Sequence, residues 1–154
     1  MRQTIWLALA LLLSAACGNR QTPEELLAEQ RSDIEAYAAR EDLDGQFTEE
    51  GLYYVLLDDN DTSSVQPTLS DSVTVAYVGT FLNGEAFAEV PEDEPLTLAL
   101  SQALEGWRIG LPLLDVGRSA IFLVPSELAY RDTGLGVIPP NTILRYDLRL
   151  LAVR

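Results

Sequence analysis

From Gly51 to the C-terminus, apolar residues tend to recur at every second position of the chain. The segment ILRYDLRLLAV near the C-terminus shows this best, because the charged residues Arg145, Asp147 and Arg149 alternate with apolar ones. The apolar residues are Leu144, Tyr146, Leu148 and Leu150. A period of two is that of a β-strand with one buried face. A chain with several such segments must place most of its residues in a sheet.

Further strand patterns are present in LYYVLL, SVTVAYV, PLTLAL and RSAIFLV, and the last is apolar on both faces, as in a central strand. The pair Asn83-Gly84 is a hairpin turn signal. SQALEGWRIGL is the one short helix candidate in this half of the chain, and Pro112 ends it because proline cannot donate a helical hydrogen bond. The sum predicts an α+β fold with several antiparallel strands.

The preceding segment TPEELLAEQRSDIEAYAARE has a helical period instead. Thr22, Pro23 and Glu25 form a capping-box signature with proline in the first turn. A possible apolar stripe consists of Leu26, Leu27, Ile34, Tyr37 and Ala38. We expect this helix, within an extension over residues 22–46, to dock on the domain or to act as a spacer; its length makes a dimerisation helix less favoured.

The N-terminal sequence MRQTIWLALALLLSAACGN has an apolar run too short to span a bilayer, which takes roughly 20 residues. It predicts a signal peptide over residues 1–16, and the only cysteine, Cys17, follows small residues as in a bacterial lipoprotein. Residues 17–21 are then a tether behind a lipidated Cys17. Because no aspartate follows Cys17, we expect an exported protein anchored in the outer membrane and facing the periplasm. The alternative is an ordinary signal peptide with an incidental cysteine.

Composition excludes several kinds of chemistry. The chain has no histidine, which argues against Ser-His-Asp and Cys-His nucleophilic sites and histidine-ligated metals. A net charge of −14 disfavours nucleic acid and anionic lipid surfaces as partners. We therefore expect no metal, no cofactor and no nucleic acid, and membrane contact only through the lipid anchor.

Four blocks together resemble the FKBP-type peptidyl-prolyl isomerases: DSVTVAYVGTFLNGEAF, PLTLALSQALEGWRIGLPLLDVG, IFLVPSELAY and GVIPPNTILRYDLRLL. They stand in the family's order with similar spacing. The resemblance implies a domain over residues 47–154, in which a curved antiparallel sheet of five to six strands wraps around one short helix. A lipoprotein signal with a helical lead-in is similar to surface-anchored bacterial members, and we expect a monomer.

The resemblance also implies a proline-binding pocket, with Trp107 as its floor, Tyr130 offering its hydroxyl and the backbone N–H of Ile138 holding a substrate carbonyl. The full set of implied catalytic and substrate-binding residues is Tyr77, Phe87, Leu96, Ala103, Leu104, Trp107, Tyr130, Val137, Ile138 and Tyr146. Implied partners are proline-containing polypeptides of the cell envelope, together with tacrolimus and rapamycin.

Four residues depart from the family pattern: Ala88 for an aspartate, Leu96 for an aromatic residue, Ala103 for valine and Arg131 for glycine. We expect a looser pocket with either reduced isomerase activity or an altered choice of substrate, weaker binding of tacrolimus, and an altered turn at Arg131. The alternative function is a non-catalytic module anchored at the cell envelope that binds proline-containing peptides or acts like a chaperone on partly unfolded chains. A plain structural domain is a third reading, in which the aromatic residues are simply core.

Overall fold

The computed structural model describes residues 22–57 and 63–154, so the predicted signal peptide, the predicted tether and Cys17 lie outside the described residues. The described part is an α+β fold, as the sequence predicts. Its strands are β1 (Gln46–Phe47), β2 (Tyr53–Leu56), β3 (Ser72–Phe81), β4 (Ala86–Val90), β5 (Leu96–Ala99), β6 (Ser119–Val124) and β7 (Leu144–Val153). They form one antiparallel sheet in the order β1-β2-β6-β7-β3-β4, with β5 also paired to β3. The seven strands exceed the expected five to six, and β1 is only two residues long.

Strand β7 lies at the centre of the sheet, between β6 and β3. Its alternation is as predicted: Leu144, Tyr146, Leu148 and Leu150 are buried, whereas the residues between them are only partly so. Strand β6 is buried on both faces, which agrees with its continuous apolar sequence. The inner face of the sheet therefore carries the main core.

The short helix α2 (Glu105–Gly110) packs on this inner face, between two 3₁₀ turns, and Pro112 lies in the second of them. Two glycines allow the close approach. A Cβ on Gly106 would lie 2.6 Å from Cγ1 of Val124, and one on Gly110 would lie 2.5 Å from Cζ of Phe122. The helix can thus bring Trp107 deep into the core, where it is buried.

The N-terminal helix α1 (Pro23–Arg40) begins with the predicted capping box. The backbone N–H of Glu25 donates to the Thr22 hydroxyl, and the N–H of Thr22 donates to the Glu25 carboxylate. Helix α1 docks on the outer face of the sheet, where Ile34 and Tyr37 belong to a second core cluster with Ile121 of β6. No helix among the described residues is long and apolar enough to cross a membrane.

Candidate active site

Three aromatic rings from three elements meet on the inner face of the sheet. The ring centroid of Trp107 lies 4.9 Å from that of Tyr77 and 5.2 Å from that of Tyr146, and the two tyrosine rings lie 5.7 Å apart. All three contacts are edge-to-face, the arrangement that the quadrupoles of aromatic rings favour. Trp107 comes from α2, Tyr77 from β3 and Tyr146 from β7. Antiparallel pairing of β3 with β7 thus builds one side of the site, and α2 supplies the other.

Phe87 joins this cluster through an irregularity in β4. Thr80 pairs with Ala86 and Gly79 pairs with Ala88, so Phe87 is an extra residue in the β3–β4 ladder. Its ring lies 5.7 Å from Tyr146, almost perpendicular to it. Such a bulge re-aims the side chain, which here reaches the ring of Tyr146.

The register also decides which face Ala88 occupies. Gly79 pairs with both Ala88 and Tyr146, so Ala88 lies in the same row as Tyr146, on the inner face. Glu89 pairs with Val78, and Val78 pairs with Asp147 on the outer face. Glu89 is exposed there. The carboxylate of Glu89 is therefore on the wrong face to replace an acid at position 88.

The hydroxyls of Tyr146 and Tyr77 keep their protons to a higher pH than an ordinary tyrosine does. Burial raises the pKa of Tyr146 far above its usual value, and the neighbouring Tyr130 and Tyr77, together with a hydrogen bond to Tyr130, raise it further. Burial and the proximity of Tyr130 also raise the pKa of Tyr77. The site thus holds uncharged hydroxyls beside apolar rings. This environment suits a neutral amide and offers no charged nucleophile or base.

Eight of the ten expected site residues lie in or against one core cluster. Trp107, Ile138 and Tyr146 are buried members of it, whereas Tyr77, Phe87, Ala103, Leu104 and Tyr130 are half-buried and pack against it. Two residues are peripheral. Leu96 pairs with Val75 at the start of β5 and is 38% exposed. Val137 is 72% exposed and borders a groove of about 650 Å³ between α1 and the β3–β4 hairpin.

The expected role of the Ile138 backbone disagrees with the structure. Its N–H donates to the carbonyl of Leu135 at 2.9 Å, and its carbonyl accepts from the N–H of Leu135 at 2.9 Å. The turn that buries the Ile138 side chain therefore already uses its N–H group. By contrast, the N–H of Leu104, just before α2, has no hydrogen-bond partner among the described residues. The sequence does not indicate which of the two backbone N–H groups is free, because Leu104 and Ile138 are both apolar residues.

Arg131 keeps the backbone that a glycine would adopt. Its φ of 51° lies in the left-handed region. The side chain then ties the loop to its surroundings: Nη2 lies 3.2 Å from Oε2 of Glu105, and Nε donates to the carbonyl of Glu127 at 3.1 Å. The expected alteration of the turn is therefore absent from the conformation of Arg131, and the substitution instead adds an ion pair to the start of α2.

Sequence reasoning missed one buried polar residue that contacts the loop carrying Tyr130 and Ile138. Gln30 of α1 is 4% exposed and hydrogen-bonds to the segment that carries Tyr130 and Ile138. It lies four residues before Ile34 on the apolar stripe. A polar residue at such a position is a usable sign of a buried hydrogen bond.

Among the described residues, no three His, Cys, Asp or Glu side chains group together in a way that could hold a metal ion.

The sequence model of the family described as FKBP-type peptidyl-prolyl cis-trans isomerase matches residues 63–151. The chain belongs to this family. The FKBP-type region includes the whole aromatic cluster and α2, whereas α1 and β2 precede it. The family assignment agrees with the fold, the aromatic site and the resemblance carried by the four sequence blocks.

Curated relatives of this FKBP-type chain include the FKBP-type peptidyl-prolyl cis-trans isomerase FkpA of Aeromonas hydrophila, which is 37% identical over 139 residues. That match covers 90% of this chain and 48% of the relative. FK506-binding protein 1 of Saccharomyces cerevisiae is 38% identical over 91 residues, covering 56% of this chain and 80% of the relative. The chain thus spans about half the length of the Aeromonas relative.

Solved structures agree with the FKBP fold. The crystal structure of FkpA from Escherichia coli superposes with a TM-score of 0.70 at 30% identity, covering 85% of this chain and 62% of that one. A peptidyl-prolyl cis-trans isomerase from Pseudomonas syringae gives a TM-score of 0.68 at 25% identity, covering 86% of this chain and 96% of that one. Since these matches cover more of the chain than residues 63–151, they extend beyond the region that the family model matches.

Proposed function

We propose that this protein is a peptidyl-prolyl cis-trans isomerase that acts on X–Pro bonds of exported or envelope proteins. The observation that carries the proposal is the edge-to-face cluster of Tyr77, Trp107 and Tyr146, with neutral hydroxyls beside it. Membership of the FKBP-type family supports it.

The reaction needs a barrier to be lowered, and no covalent bond has to form. Amide resonance holds the X–Pro bond planar with a rotational barrier of roughly 18–20 kcal/mol. Water stabilises the charge separation that accompanies this resonance. A dry pocket that binds the twisted amide more tightly than the planar one lowers the barrier by differential binding. Aromatic rings and uncharged donors are sufficient for this, which agrees with the absence of histidine from the chain.

We assign the roles as follows. Trp107 forms the floor against which the proline ring packs, and Tyr77, Phe87 and Tyr146 form the wall. The hydroxyl of Tyr130 is the polar donor at the edge. Leu104 replaces Ile138 as the backbone donor to a substrate carbonyl, because the N–H of Ile138 is already bonded to Leu135.

A second candidate function is a module that binds proline-containing peptides, and also tacrolimus or rapamycin, with little catalysis. The observation that favours it is Ala88, which puts a methyl group on the inner face where the family carries an acid. We propose that this departure reduces isomerase activity without abolishing it. Peptide binding without faster cis–trans exchange would select the binding module.

We further propose that the mature protein is a monomer anchored to the outer membrane through lipid on Cys17, facing the periplasm. The support is the position of the only cysteine directly after the signal-like segment. Mass spectrometry of the mature N-terminus should show acylated Cys17, and Cys17→Ser should release the protein from the membrane fraction. A mature chain that starts elsewhere, without lipid, contradicts this part of the proposal.

The isomerase proposal is tested by exchange NMR on a proline peptide, with the enzyme at catalytic concentration. Tyr130→Phe removes the edge hydroxyl, so we expect it to lower the exchange rate constant by about tenfold or more. Tyr54→Phe is the matched control, because Tyr54 lies on the same face two strands away from Tyr146, where its hydroxyl accepts a hydrogen bond from Gln46 of β1. Equal loss in the two variants would refute the role given to Tyr130.

A further inference from the structure

Gln30 occupies a position in α1 where the helical pattern calls for an apolar residue. It lies on the docked side of the helix with Ile34, Tyr37 and Ala38, and it is 4% exposed. A buried amide is costly unless its donor and its acceptor both find partners. Gln30 finds both outside its own helix, which makes its contacts specific to the docked arrangement.

The two partners are backbone groups of one segment. The Nε2 group of Gln30 donates to the carbonyl of Asn141 at 2.9 Å, and its Oε1 accepts from the N–H of Ser126 at 2.8 Å. Ser126 is itself buried. A primary amide carries its donor and its acceptor on two separate atoms, so it can donate to one of these groups and accept from the other without changing its protonation state. Neither a carboxylate nor an apolar side chain of similar length could do the same.

These bonds close a ring of four hydrogen bonds. The N–H of Arg131 donates to the carbonyl of Ser126 at 2.9 Å, and the N–H of Asn141 donates to the carbonyl of Arg131 at 2.7 Å. Gln30 completes the ring by joining Asn141 back to Ser126. The segment from Ser126 to Asn141, which we call the site loop, is therefore fastened where it leaves the sheet and where it returns.

The site loop needs such fastening because two residues on this ring have left-handed backbone, which is strained at Arg131 and tolerated at Asn141. Arg131 and Asn141 have φ angles of 51° and 55°, in the region that side-chain-bearing residues seldom adopt. Conformations of this kind persist only where surrounding structure holds them. The loop carries Tyr130, which packs against the pocket cluster, and Ile138, which is buried in it.

We propose that Gln30 is a positioning residue for the site: from a helix outside residues 63–151, it holds the site loop so that Tyr130 stays in place. The proposal rests on the proposed isomerase function for its catalytic consequence. Its structural content, that α1 fixes the loop through one amide, is independent of that function. It makes the N-terminal helix a part of the working enzyme in addition to being a docked extension.

The test compares Gln30→Met, which removes both bonds at similar length, with Gln30→Glu, which keeps only the acceptor. Ile34→Val is the matched control, because it lowers stability on the same docked face without touching the loop. Amide hydrogen exchange is measured at Arg131 and Asn141, together with kcat and KM for a proline peptide, at a temperature where all variants are folded.

We expect Gln30→Met to speed exchange at both amides by about tenfold relative to Ile34→Val, with Gln30→Glu in between. We expect kcat to fall by roughly tenfold or more in Gln30→Met, because Tyr130 is displaced, with a smaller change in KM. Exchange equal to that of the control would overturn the proposal. Faster exchange with an unchanged kcat would overturn the positioning role. If the unaltered protein does not isomerise the peptide, the proposed function fails, and amide exchange alone still decides whether Gln30 holds the loop.

Discussion

The ring of Phe87 lies directly against the backbone of Gly79. A Cβ on Gly79 would lie 2.6 Å from Cζ of Phe87 and 3.2 Å from Cε1 of Tyr146. No side chain other than hydrogen fits there while both rings keep their positions. The shape of the proposed pocket wall therefore depends on a glycine that has no functional group of its own.

Gly79→Ala should accordingly push the two rings apart and lower isomerase activity, with a loss of about 1–3 kcal/mol in the free energy of unfolding. Gly84→Ala is the control, because a Cβ there meets nothing within 4 Å although its φ of 88° is unfavourable for alanine. Chemical unfolding and exchange NMR on both variants separate the two effects. If the two variants lose activity in parallel with stability, Gly79 has no special role in the pocket.

Ala88→Asp should raise kcat/KM for proline peptides by about tenfold at most. An acid at this inner-face position lies in the row of Tyr146 and can accept a hydrogen bond from a pocket tyrosine, which contributes about 1 kcal/mol. Tacrolimus affinity should rise with it, as measured by calorimetry. Glu89→Gln, on the outer face, should leave both quantities unchanged. A response to Glu89→Gln, or none to Ala88→Asp, contradicts the register-based assignment of the two faces.

Two replacements of Arg131 should separate the effect of its backbone strain on the free energy of unfolding from the effect of its ion pairs. Arg131→Ala loses the contacts to Glu105 and Glu127 and keeps a residue that disfavours φ near 51°. Arg131→Gly loses the same contacts and relieves the strain, so it should be the more stable variant by about 1 kcal/mol. The exposed ion pairs themselves contribute about 1 kcal/mol or less. Urea unfolding of the two variants gives the difference, and a more stable alanine variant would contradict the strain.

Alkaline pH should destabilise the fold through Tyr146. Its pKa is raised in the folded state, so above about pH 10 the unfolded chain loses this proton while the folded chain keeps it. Stability then falls as pH rises, by about 1.4 kcal/mol per pH unit for one such group. Tyr146→Phe should flatten this decline between pH 10 and 11 in urea titrations, whereas Tyr54→Phe serves as the reference for a hydroxyl outside the cluster. Equal slopes in the two variants contradict the buried neutral hydroxyl.

The elements that sequence predicts well are those whose signals are local. The alternation around Tyr146 and the capping box at Thr22 each depend on residues within a few positions, and both agree with the structure. The order of the blocks around Trp107 and Tyr130 indicates the family, which the family model confirms. These signals can be read without knowing which distant segments of the chain contact one another.

The features that could not be predicted from the sequence depend on contacts between backbone segments that are far apart in the chain or on local backbone geometry. The extra residue in β4 decides that Ala88 faces inward and Glu89 outward, and only strand pairing reveals it. The partner of Gln30 at Asn141 is 111 residues away. The use of the Ile138 N–H inside its own turn depends on backbone geometry that apolar side chains do not encode.

The most direct test of the central claim is exchange NMR on a proline peptide, with and without rapamycin. Uncatalysed cis–trans exchange takes tens to hundreds of seconds. We expect this protein at catalytic concentration to make the exchange much faster. Saturating rapamycin should remove the acceleration by filling the pocket over Trp107. An exchange rate equal to that of peptide alone, at a protein concentration where the peptide is visibly bound, would contradict the isomerase assignment and leave a binding module.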